Sequence, residues 1–160
     1  MSILFLLLGS NIGDSRNHLE TAISNILQRV GTISKQSYIY KTEPWGNKAQ
    51  QDFLNQVLEV QTVLGPEEVL NQILTIEQEM GRNRFEKWEP RIIDIDILFY
   101  GSAIIQTVNL VVPHPLLHER RFTLLPLTEI APNFMHPVLL KTATELLTEC
   151  SDTSLVSLFE

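Results

Sequence analysis

The chain has 160 residues, 44% apolar and 19% charged, which fits one globular domain with a sizeable core. Its net charge of −7 excludes a non-specific nucleic-acid binder, which needs a broad basic surface. Its single cysteine, Cys150, excludes an intrachain disulfide and a cysteine-based metal cluster, and fits a reducing cytoplasm.

Residues 3–8 are a continuous apolar run, as in a central strand covered on both faces. The run lacks a basic leader and a cleavage site, so it reads as a strand, not a signal peptide or membrane span. Asp14 can cap a helix over roughly 15–29, with Leu19, Ala22, Ile23, Ile26, Leu27 and Val30 on one face and Gly31 as its C-terminal cap. Residues 32–42 and 53–63 read as two adjacent antiparallel strands joined by a polar loop that carries Pro44 and Gly46.

Pro66 opens a second helix, which carries Val69, Leu70, Ile73, Leu74, Ile76, Glu77 and Met80 and stops at Gly81. A strand over 92–100 follows. The order strand, helix, strand, strand, helix, strand predicts a ferredoxin-like α+β sandwich, a mainly antiparallel sheet with flanking helices on one face. Short strands near 103–105 and 109–112 are expected to extend the sheet, and 117–130 and 142–149 read as further helices. No repeat or linker divides the chain, so a single domain over 1–160 is expected.

The segment from Arg82 to Tyr100 carries the strongest chemical signal. Arg82, Arg84, Lys87 and Arg91 fall within ten residues of an otherwise acidic chain and run into Asp94-Ile95-Asp96. Arginines match phosphate oxygens in bidentate geometry, and carboxylates hold hard cations such as magnesium. On a strand, Asp94 and Asp96 share one face, with Ile93, Ile95, Ile97 and Phe99 on the other. A polar outer sheet face would explain a lone Asp-x-Asp equally well; the basic residues upstream favour metal binding.

The loop from Arg82 to Pro90, with Trp88, suits a lid over phosphate, although its arginines can also pair with Glu86 and Glu89. His114 lies between Pro113 and Pro115, near His118, Arg120 and Arg121, and suits a hydrogen bond to a phosphate or an adenine edge. Surface histidines on a turn are the plainer alternative. Phe53 and Asn55 share a strand face, so a ring and an amide can stack on a flat heterocycle and read its edge, with Phe122 as a second ring. Both rings can equally be core. Thr42 and Trp45 flank that region. The chain has no GxxxxGK[ST] loop and no HRD or DFG signature, so any ATP chemistry must use arginines and a metal. No dedicated general base is legible.

LGSNIGD at 8–14, TEPWG at 42–46, FLN at 53–55, GRNR followed by Trp88, Pro90-Arg91 and IDIDIL at 81–98, and VPHP followed by RRFTLLPLTEIAP at 112–132 together resemble the 6-hydroxymethyl-7,8-dihydropterin pyrophosphokinase family of folate biosynthesis. The resemblance implies a ferredoxin-like fold and transfer of pyrophosphate from ATP, the co-substrate, to the pterin hydroxymethyl group. It implies two magnesium ions on Asp94 and Asp96, and Arg82 and Arg91 on the transferring group. It implies nucleotide contacts from Glu77, Arg84, Trp88, Ile97, His114 and Arg120. It implies a pterin stacked between Phe53 and Phe122, its edges read by Asn55, Thr42, Glu43 and Trp45. Closure of segments 43–52 and 82–90 would exclude water. Leu74, Asn109, Pro115 and Phe53 depart from the family's pattern. A cytoplasmic monomer with no nucleic-acid or membrane partner is expected. The rival from another class is a non-catalytic ferredoxin-like small-molecule-binding module.

Overall fold

The computed structural model describes residues 1–43, 51–81 and 92–159. The elements are β1 (Ser2–Ser10), α1 (Ser15–Arg29), β2 (Thr32–Gln36), β3 (Tyr40–Thr42), β4 (Phe53–Thr62), α2 (Pro66–Glu79), β5 (Asp94–Tyr100), β6 (Ile105–Gln106), β7 (Val111–Val112), α3 (Arg121–Ile130), α4 (Ala143–Glu149) and β8 (Val156–Leu158), with a 3-10 turn at Leu117–Glu119. Among the described residues the main sheet runs β5-β1-β4-β3-β8, with β2 also paired to β4. Every pair in it is antiparallel.

β1 is central and apolar throughout because both its faces are covered. Leu4, Leu6 and Leu8 pack with Leu19, Ala22 and Ile26 of α1 and Val69, Ile73 and Ile76 of α2. Phe5 and Leu7 pack with Leu124, Leu127 and Ile130 of α3 and Leu146 of α4. The fold is α+β as expected, but helices cover two faces of the sheet where one was expected. On the second face Phe5, Phe99 and Phe134 form a ring cluster with centroids 4.7–6.0 Å apart.

Several local expectations are corrected. Phe99 leaves the face of Ile93, Ile95 and Ile97. The register moves from Leu6↔Ile97 to Phe5↔Phe99, so Leu98 is an extra residue and Phe99 joins the second core. The expected strand over 32–42 splits at Ser37. That residue is buried; its hydroxyl accepts the Val57 N–H at 3.0 Å and its carbonyl accepts Gln56 Nε2 at 2.7 Å. β6 and β7 pair with each other and do not extend the main sheet. Leu27 is exposed and does not join the packed face of α1.

Asp14 caps α1 as expected, its carboxylate accepting the Asn17 N–H at 3.1 Å. Gly31 does not serve as a left-handed cap, a role Gly81 fills after α2 at φ 89°. A Cβ on Gly31 would stand 2.1 Å from the Gln61 carbonyl oxygen, so a close approach to β4 requires the glycine.

Candidate active site

The site is built from one cross-strand row. Asp94 lies opposite Gly9, Gly9 opposite Asn55, and Asn55 opposite Tyr40. In antiparallel pairs, opposed side chains leave the sheet on the same face. Asp96 is opposite Leu7, and Phe53 opposite Thr42, so both join that face. Leu7 and Val57 carry the same parity into the core beneath α3, so the polar row lies on the α3 side of the sheet. Asn55 and Thr42 are buried, while Asp94, Asp96 and Phe53 are half-buried and Glu43 is exposed.

Gly9 belongs to the row and was not nominated from the sequence. A Cβ there would stand 2.8 Å from Asn55 Oδ1, so the missing side chain makes room for the Asn55 amide. A glycine inside an apolar strand was the available signal. The buried Thr42 Oγ1 has no hydrogen-bond partner among the described residues, an orphan that a polar ligand edge can satisfy.

The N-terminus of α3 brings up the next residues. Arg120 precedes the helix, and its Cζ lies 5.7 Å from the centroid of the Phe122 ring. His114 follows the cis Val112–Pro113 bond, and its N–H donates to the Leu98 carbonyl at 2.9 Å. Its Nδ1 accepts the Leu116 N–H at 3.2 Å, so the neutral ring carries its proton on Nε2. Burial lowers the His114 pKa; the Asp96 charge opposes that shift and the Arg120 charge adds to it. His114 therefore lies within electrostatic reach of both the carboxylate strand and the α3 arginine.

Along the edge strand β5 lies a cleft of 430 Å³, lined among others by Leu70, Leu74, Asp96, Ile97, Asn109 and His114. α2 contributes Leu70, Ile73 and Leu74 together with the polar Glu67 and Asn71, and Asp96, Asn109 and His114 add further polar groups, a mixture that suits a flat base with a charged tail. Glu77, 2% exposed, accepts the Ile95 N–H at 2.8 Å and ties α2 to β5 between the two aspartates. Arg82, Arg84, Trp88, Arg91 and Trp45 lie outside the described residues, as do all of the expected lid 82–90 and most of 43–52.

Asp94 and Asp96 fit a divalent metal by their donor chemistry: two hard oxygen ligands side by side at a sheet edge. Magnesium is commonly held by one or two carboxylates, with phosphate oxygens and water completing its shell.

A family model described as 7,8-dihydro-6-hydroxymethylpterin-pyrophosphokinase (HPPK) matches residues 5–132. The chain belongs to this family. Its relatives include the 2-amino-4-hydroxy-6-hydroxymethyldihydropteridine pyrophosphokinases of Aquifex aeolicus and Haemophilus influenzae. The first is 44% identical over 145 residues, covering 91% of this chain and 90% of the relative. The second is 36% identical over 159 residues, covering 99% of each. Among solved structures, wild-type Plasmodium falciparum HPPK-DHPS with SDX-DHP superposes with a TM-score of 0.76 at 21% identity. It covers 93% of this chain, which spans only 43% of that longer one, and the likeness shows the fold. The HPPK match ends at Pro132, so α4 and β8 lie beyond it.

Proposed function

We propose that this HPPK transfers the pyrophosphoryl unit of ATP to 6-hydroxymethyl-7,8-dihydropterin through the row on β5, β1 and β4. The products are AMP and the pterin diphosphate, in folate biosynthesis. The pterin hydroxymethyl oxygen forms a bond to the β-phosphorus. The bond from that phosphorus to the oxygen bridging to the α-phosphate breaks, AMP leaves with the electron pair, and the hydroxyl proton passes to solvent.

The observation that supports this reading is that Asp96 lines the cleft of α2 and β5 while Asp94 shares a cross-strand row with Asn55. The cleft suits the nucleotide. Asn55, Thr42 and Phe53 suit the pterin. Phe53 and Phe122 would hold the pterin ring by stacking, and Asn55, Thr42, Glu43 and Trp45 would read its edges. Ile97, Arg84, Trp88, His114 and Arg120 would hold the nucleotide, Glu77 would support that site from beneath by holding α2 to β5, and Arg82 and Arg91 would hold the transferring group. Two magnesium ions on Asp94 and Asp96 would neutralise phosphate charge and acidify the hydroxyl. The protein's own work is alignment of the two substrates and exclusion of water.

We place the enzyme in the cytoplasm as a monomer. In support, one chain supplies the whole row, and among the described residues no helix is long and apolar enough to cross a membrane.

The test is to incubate the protein with ATP, magnesium and the pterin and to resolve the nucleotides. AMP formed only when pterin is present is the expected result. ADP, or AMP without pterin, would overturn the assignment, and pterin bound without turnover would make the chain a binding module.

A further inference from the structure

The C-terminal segment after α4 touches the two elements, α3 and β3, that carry Phe122 and Thr42 of the pterin pocket proposed above. α3 begins at Arg121, and Arg120 in the capping position supplies no side-chain acceptor. The Arg121 N–H donates instead to Asp152 Oδ2 at 2.9 Å, across 31 residues of chain. The other oxygen, Oδ1, accepts the Ser154 N–H at 2.9 Å and the Ser154 hydroxyl, so the carboxylate is held on both sides. The chain then runs along β3. Val156 pairs with Thr42 and Leu158 with Tyr40, and the Phe159 N–H donates to the Ile39 carbonyl at 2.9 Å.

One short segment thus fixes the start of the helix that bears Phe122 and the strand that bears Thr42. The far end of α3 is tied to the same strand region. Glu129 accepts the Tyr40 hydroxyl at 2.6 Å and the Tyr38 N–H at 3.1 Å. A helix start with no cap of its own frays readily, and fraying there would move Phe122 relative to Thr42 and Phe53.

We propose that Asp152 is a positioning residue for the pterin: it caps α3 from the C-terminal segment and so sets the gap into which the ring stacks. The inference rests on the reading of Phe122 as a wall of that gap. It concerns a residue beyond the span of the family match.

The test is steady-state AMP formation by Asp152→Ala, Asp152→Asn and Phe122→Ala, with the KM of each substrate resolved. Asp152→Ala is expected to raise the pterin KM roughly fivefold, the factor that a lost helix cap corresponds to. The KM for ATP should rise by less than that for the pterin, because Arg120 at the same helix start is one of several nucleotide contacts. Asp152→Asn keeps an acceptor oxygen and should restore most of the pterin KM, since Asn caps about as well as Asp. An unchanged pterin KM in Asp152→Ala, with a raised one in Phe122→Ala, would overturn the brace and leave the wall standing. Unchanged values in both would overturn the wall and the brace with it. An equal rise in both KM values would make Asp152 a general stabiliser and overturn its positioning role. If Asp152→Ala does not fold, Asp152→Glu decides. It keeps the charge but shifts it by one methylene, so a rise larger for pterin than for ATP supports the brace and an unchanged pterin KM overturns it.

Discussion

Gly9 of β1 lies directly opposite Asn55 of β4, and a Cβ added to Gly9 would stand 2.8 Å from the Asn55 Oδ1. That atom is the end of a side chain, so the Asn55 amide can yield without moving either strand. Gly9→Ala is therefore expected to leave the melting temperature within a few degrees and to raise the pterin KM about tenfold. Kinetics beside a thermal melt checks this, and a large loss of stability with normal pterin affinity would contradict it.

Gly31 makes the opposite case. A Cβ there would stand 2.1 Å from the Gln61 carbonyl oxygen and 3.0 Å from its carbon, and both are backbone atoms of a central strand. Gly31→Ala is expected to cost roughly 3 kcal/mol, because α1 must lift from β4 or the strand must bend. Urea unfolding would show the loss as a lower midpoint at an unchanged slope.

His136 gives a pH dependence with a definite sign. It is 5% exposed, and its Nδ1 accepts the N–H groups of Val138 and Leu139 at 3.1 and 3.0 Å. Burial lowers its pKa below 6.5, and the neighbouring His118 charge lowers it further. The unfolded chain therefore takes up a proton before the folded one does. Stability is lost as pH falls below about 6.5 and levels off below the folded pKa. Asn at this position can accept the same two N–H groups without titrating. His136→Asn is expected to flatten the fall in urea midpoint on acidification, leaving the part due to His114, whose pKa is also lowered. An unchanged pH slope would contradict it.

Much of this fold was legible because long periodic segments carry their own boundaries. Asp14 before α1, Pro66 opening α2 and Gly81 closing it all act as the sequence indicates. The shared face of Asp94 with Asp96 and of Asn55 with Phe53 was legible because alternation places each pair on one side of its strand. The departures share a cause: they depend on contacts distant in sequence. The extra residue at Leu98 appears only when β5 is laid against β1, and it carries Phe99 to the other core. Ser37 interrupts a strand through bonds to residues 19 and 20 positions away. β8 has three residues, too few for a period, and its reason to be extended is β3. Asp152 reads locally as a turn residue, and its bond to Arg121 emerges only in the packed chain.

The most direct test of the central claim is the rate of pterin-dependent AMP formation by Asp96→Asn, beside wild type, with circular dichroism on both. Asp96 is half-buried opposite Leu7, and Asn is nearly isosteric, so the fold should persist. A loss of at least about a hundredfold is expected, because a neutral amide neither holds a divalent cation as a carboxylate does nor offsets its charge. A rate within about threefold of wild type, with the fold intact, would remove this carboxylate from the chemistry and contradict the site described for β5.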